Sequence, residues 1–192
     1  RAGGPLRLGL AALLMLVGAS VAAAEDAAVG DFVARVDRAV SALAGKSGAA
    51  AQSGCLALLR ALVDTDAVAR RVAGGAWNRM TPTQRTRFVA AVEARAAREC
   101  ALQNRNNSVA PVALVGVRPA SGGDRLVATR VEQKGAGART VVWRVADGPP
   151  PLMAHDLLVD GRSTALTLRD EASAVLDRAN GDIEALIAAL AR

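Results

Sequence analysis

The spacing of apolar residues changes twice along this 192-residue chain, and that change limits the folds open to it. Val29, Phe32, Val33, Val36, Val40 and Leu43 recur on one helical face, opposite Asp31, Arg35, Asp37 and Arg38. "GKSGAAAQSG", 45 to 54, breaks the pattern and reads as a linker or loop. A second helical run starts near Cys55 with Leu59, Leu62 and Val63. Asp64 is placed to cap a short helix carrying Val68 and Val72, which Gly74-Gly75 ends. In "AWNRMTPTQRTRF", Thr81 is an N-cap, Pro82 takes the first helical position and Gln84 closes a capping box. The long helix that follows aligns Phe88, Val92, Ala96 and Cys100, and "NRNNS", 104 to 108, stops it.

From residue 109 the period falls to two. "VALVGVR" (112–118), "DRLVATRVEQ" (124–133) and "TVVWRVAD" (140–147) read as strands separated by "PASGG" and "KGAGA" turns. Val127, Thr129 and Val131 share one face of the second, and Val141, Trp143 and Val145 one face of the third. A fourth run, 151 to 164, is apolar on both faces through Leu157-Leu158-Val159 and bends at Asp160-Gly161. Helix returns near Leu168. Asn180-Gly181 interrupts it, and Asp182 caps a last helix with Ile183, Leu186, Ile187 and Leu190 on one face. Helices, then antiparallel strands, then helices predict an α+β fold and not an alternating parallel one. Helices laid on a curved antiparallel sheet enclose either a filled core or a pocket.

The first 24 residues read as an export signal. Arg1 and Arg7 precede an apolar run from Leu8 to Val21, and Ala22-Ala23-Ala24 supplies small residues before Glu25-Asp26. The run is too short and too rich in Gly and Ala for a membrane span, and no Cys stands at the cleavage site to take a lipid anchor. The expected mature domain is 25–192, long enough for one sizeable core. Without Arg1 and Arg7 the net charge drops from +6 to +4, with no block of like charges. Nucleic acid is an improbable partner, because the chain has no Tyr, only two Phe and two Trp, and no basic stripe.

Metal and catalytic chemistry find little to use. One His and two Cys are too few for a zinc site of the usual kind, and no cofactor motif occurs. Cys55 and Cys100 suit either one disulfide or two buried thiols. A disulfide would close a loop of about 45 residues, worth roughly 3–4 kcal/mol in the chain-entropy model. His155-Asp156 suggests acid–base work, but neighbours in a strand point to opposite faces, and no nucleophile elbow accompanies them. Arg162 and Arg169 suit either an anionic group or a solvated face. Trp77 is read as structural, packing with Phe88 against the first helix and its Phe32.

The order of these segments resembles the toluene-tolerance, or MlaC-type, periplasmic lipid-binding proteins. The matching pieces are "VDTDAVARRVAGGAWNRMTPTQRTRFVAAV" (63–92), "RLVATRV" (125–131), "VVWRV" (141–145), "HDLLVDGRST" (155–164) and "NGDIEALIAAL" (180–190). The family's acid-led helix, Trp, basic residue, Thr-Pro-x-Gln-Arg and Phe fit Asp64, Trp77, Arg79, Thr81, Pro82, Gln84, Arg85 and Phe88. Its Asp-Val-x-Val-Glu-Gly turn fits Asp156, Leu157, Val159, Asp160 and Gly161. The chain departs from the family in lacking tyrosines, in carrying Cys100 where an aromatic is expected, and in Gly74-Gly75 for Leu-Gly.

The resemblance implies an NTF2-like α+β domain with a hydrophobic cavity and no enzymatic activity. It implies a carrier that takes a membrane lipid, phospholipid first, between an outer-membrane lipoprotein complex and an inner-membrane ABC transporter. A hopanoid or other polycyclic lipid is an alternative cargo. A small isomerase or hydrolase and a scaffold without ligand are the rival classes. The resemblance and the strand alternation together nominate Val127, Val131, Val141, Trp143, Met153 and Leu157 as cavity residues. Alternation fixes their parity and leaves open which parity faces inward.

Overall fold

The computed structural model describes residues 27–104, 111–133 and 137–192. The export segment expected at 1–24, most of "NRNNS" and the first three residues of the "KGAGA" turn lie outside them. The elements in chain order are helix α1 (27–41), α2 (Gly48–Leu62), α3 (Thr65–Ala73), a 3-10 turn (Gly74–Arg79), and α4 (Pro82–Gln103). Strands β1 (Ala113–Pro119), β2 (Arg125–Gln133), β3 (Gly137–Val145), β4 (Ala154–Val159) and β5 (Arg162–Ser163) follow. Helices α5 (Thr164–Arg178) and α6 (Ile183–Ala191) end the chain. The strands form one antiparallel meander in sequence order. The architecture is α+β, as the change of period predicts.

Local chemistry sets the helix boundaries. Asp64 accepts from the Ala67 N–H at 2.9 Å and caps α3, and Gly74 leaves that helix at φ 53°. The Thr81–Gln84 capping box is complete, with both reciprocal bonds formed. Asp182 caps α6 through the Glu184 and Ala185 N–H groups. At the other end of α6, the Arg98 guanidinium donates to the carbonyls of Leu190 and Ala191, which have no partner within the helix.

Two boundaries differ from the sequence reading. Helix α2 begins at Gly48, inside the stretch expected to be a loop. Gly54 within it marks close packing, since a Cβ there would stand 2.5 Å from Leu43 Cδ2 in the turn after α1. Helix α5 begins at Thr164, four residues before the expected start, because Ser163 Oγ caps the Leu166 N–H and a buried carboxylate holds the Ala165 N–H.

The interior divides into two apolar clusters. One lies under the sheet, where Phe32, Val36 and Val40 of α1 and Cys55, Leu59 and Leu62 of α2 meet Val127, Trp143 and Val145. The other lies among α3 to α6 and contains Ala69, Val72, Phe88, Val92, Leu186 and Ile187. Val68 touches both. This division corrects the expected packing of the aromatic residues. Trp77 meets Phe88 edge to face at 6.5 Å in the second cluster, whereas Phe32 meets Trp143 at 5.7 Å in the first. A helical stripe shows which face is buried and not which neighbour covers it.

Helices α2 and α4 are fastened together. Cys55 and Cys100 join them in a disulfide with their Cα atoms 6.0 Å apart. Arg60 binds Glu93 Oε2 through Nε and Nη2 at 3.2 and 2.9 Å, and Thr65 donates to Oε1. Arg35 fastens α1 by donating to the carbonyls of Ala61, at the end of α2, and of Leu152, before β4.

Candidate functional site

The register of the meander gathers side chains of one parity on a common face. Val127 pairs with Trp143, Thr129 with Val141, Trp143 with Leu157 and Val141 with Val159. This odd-numbered set packs on α1, α2 and α4, so the helices supply the sign that alternation alone leaves open. Trp143 is nearly buried at its centre, and its Nε1 donates to Thr129 Oγ1 at 2.9 Å. Thr129 Oγ1 in turn donates to the Val141 carbonyl at 3.2 Å, so both polar atoms are satisfied inside an apolar layer.

The layer is not filled. A cavity of about 140 Å³ lies between the sheet and the helices. Val131, Val141, Trp143 and Leu157 line it from the strands, Val40, Leu58 and Cys100 from the helices, and Leu43 from the turn after α1. Four of the six nominated residues therefore meet around one space. Val127 is completely buried beside them and does not border it. Met153 stands elsewhere, in the segment before β4, where it borders a separate depression with Asp64, Pro149 and His155, and its Sδ is 4.0 Å from Arg35 Nη1. The helical lining residues escape sequence reasoning because a stripe that lines a cavity has the same spacing as one that fills a core.

Polar side chains stand at the rim. Arg139 Nη1 donates to Gln103 Oε1 at 3.1 Å, and its Nη2 donates to Asp160 Oδ2 at 3.0 Å. Gln103 Nε2 donates in turn to Glu99 Oε1. A second, larger cleft of about 330 Å³ opens on the far side of Gln103, between α4, α5 and the β4–β5 turn. Arg162 lies on its lip; Arg169 lies against Gly74, where a Cβ would stand 3.4 Å from its guanidinium.

The neighbours His155 and Asp156 are committed to different structures. His155 Nε2 lies 3.1 Å from Asp124 Oδ1, and Arg144 Nε donates to Asp124 Oδ2 at 2.6 Å. Burial works to raise the Asp124 carboxyl, but hydrogen bonds from Arg144 and His155, and their charges, outweigh it and hold the group below the ordinary carboxylate value. Asp156 points instead to the start of α5. Its Oδ1 accepts from the N–H groups of Leu157 and Ala165, and its Oδ2 accepts from Ser163 Oγ, with Arg71 Nη1 at 3.7 Å. Among the described residues no group of three or more His, Cys, Asp or Glu is placed to hold a metal ion. No described helix is long and apolar enough to cross a membrane.

Comparison with known proteins agrees with this architecture. A family model described as MlaC protein matches residues 34–192. Among solved structures, the chain is similar to the phospholipid-binding protein from Ralstonia solanacearum, determined in complex with a phospholipid. The match has a TM-score of 0.63 at 19% identity and covers 88% of this chain and 93% of that one. No curated relative matches the chain.

Proposed function

This chain belongs to the MlaC protein family, and from that premise we propose that it is a periplasmic carrier of phospholipid. The carrying observation is the apolar space between sheet and helices, with Trp143 and Leu157 on one wall, Val40 and Leu58 on the other, and charged groups confined to the rim. That arrangement gives acyl chain an apolar lining and leaves a head group in water. The need for it is energetic. Exposing two acyl chains, about 30 methylenes, costs on the order of 20–25 kcal/mol at ~0.8 kcal/mol each. A lipid therefore crosses an aqueous compartment only inside a protein.

The Cys55–Cys100 bond supports an oxidising compartment. The family supports a route between an outer-membrane lipoprotein complex and an inner-membrane ABC transporter. The space in this structure is below the roughly 300–1,000 Å³ of small-molecule sites, so loading spreads the helices from the sheet. Because the disulfide and the Arg60–Glu93 contacts join α2 to α4, those two move as one body.

Native mass spectrometry of residues 25–192, purified from a bacterial periplasm without detergent, tests the reading. A bound mass that organic extraction removes and identifies as phospholipid is the expected result. A clean unliganded mass that stays unchanged after incubation with phospholipid vesicles contradicts it.

A further inference from the structure

The inner cavity and the α4–α5 cleft share two lining residues, Gln103 and Val159. Their separation has a structural cause. The cleft runs along the seam between the two apolar clusters, and its floor is made of Val68, Val92, Ala96, Ala165 and Leu168. Val92 and Leu168 belong with one cluster, Ala96 with the other, and Val68 with both. Small side chains at 96 and 165 leave the seam unfilled. Gln103 stands as the post between the two spaces, bonded to Glu99 on the cleft side and to Arg139 on the cavity side.

The charges around that post are unequal in their partners. Arg139 is held by Asp160 and Gln103, and Arg95 pairs with Glu171 across the cleft at 3.2 Å. Arg162, directly opposite Val159 in the β4–β5 pair, has neither an ion pair nor a side-chain hydrogen bond among the described residues. A solvent-facing guanidinium on the lip of the apolar-floored cleft, opposite the Val159 that both spaces share, is suited to a phosphodiester.

We propose that the two spaces are the compartments of one ligand site, each taking one acyl chain of a two-chained phospholipid whose phosphate sits at Arg162. The proposal rests on the lipid-carrier reading and adds where each chain lies and which residue meets the phosphate. The branch point of the glycerol lies over Gln103 and Val159, the only place the compartments adjoin among the described lining residues.

Two variants test it, using phosphatidylglycerol and its single-chained lyso form as probes and native mass spectrometry as the readout. Thr167 is exposed at the cleft and its side chain bonds only to the Ser163 carbonyl, so Thr167→Trp fills the cleft from its lip without entering either core. The expected result is a loss of phosphatidylglycerol occupancy of about tenfold or more, with the lyso form retained. Arg162→Glu lowers occupancy by both phosphate-bearing probes about fivefold to tenfold, whereas uncharged dioleoylglycerol, which has two chains and no phosphate, loses much less.

Undiminished phosphatidylglycerol binding by Thr167→Trp overturns the two-compartment site, and so does equal loss of both probes at an unchanged melting temperature. Undiminished binding by Arg162→Glu overturns the phosphate seat. Failure of the unsubstituted protein to take either probe overturns the carrier reading itself, which separates the two failures.

Discussion

Asp156→Ala lowers the unfolding free energy by about 3–5 kcal/mol, the range seen when one partner of a buried charged network is removed. The carboxylate is 3% exposed and accepts from the Leu157 and Ala165 N–H groups and from Ser163 Oγ, close to Arg71. Alanine leaves those donors without an acceptor at the N-terminus of α5, where the helix dipole also favours a negative charge. Asp156→Asn keeps one acceptor oxygen and loses less. Urea unfolding of both variants measures the difference. A loss below about 1 kcal/mol for the alanine variant would mean that the turn holds itself together without the carboxylate. The consequence reaches the site, because this carboxylate fixes the β4–β5 turn and α5, which form one wall of the α4–α5 cleft.

Trp143→Ala costs about 3–5 kcal/mol in the unliganded protein. The indole fills the centre of the inward face, meets Phe32 edge to face, and supplies the hydrogen bond that Thr129 Oγ1 accepts. Removing it merges its volume with the adjoining cavity. Phospholipid should restore part of that loss, because an acyl chain packs into the space the ring vacates. Unfolding measured with and without phosphatidylglycerol therefore shows a smaller deficit in the loaded protein. Equal deficits in both states would place the lipid away from Trp143.

Much of the framework is readable from local chemistry. Asp64, Thr81 with Gln84, and Asp182 each cap the helix their position suggests, since a cap needs only its own turn. The parity of Val131, Val141, Trp143 and Leu157 is readable for the same reason. What stayed hidden depends on long-range contacts. Helix α2 starts at Gly48 although glycines surround that point, and Gly54 within it is where Leu43 packs against the helix. Helix α5 starts at Thr164 because a carboxylate nine residues earlier holds the Ala165 N–H.

The site divides in the same way. Strand periodicity selects Val141 and Leu157, while Met153, outside any regular strand, takes its place from Arg35 on α1. Val40, Leu58 and Cys100 look like core in the sequence and border the cavity only because α1, α2 and α4 do not close against the sheet. Gln103 and Arg139 carry no sequence signal, since isolated polar residues at element ends are ordinary, and Arg162 is noticed beside its turn only as either an anion contact or a solvated side chain. The placement of the two arginines on either side of Gln103, Arg139 at the cavity and Arg162 at the cleft, is a product of the fold.

The placement of the lipid beneath the sheet is tested most directly by fluorescence. Trp77→Phe leaves Trp143 as the sole tryptophan, and phosphatidylglycerol with brominated acyl chains then serves as a short-range quencher. Strong quenching of Trp143, absent with the unbrominated lipid, is the result expected if an acyl chain occupies the cavity. A bound brominated lipid, seen as a mass shift, that leaves Trp143 emission unchanged would contradict it.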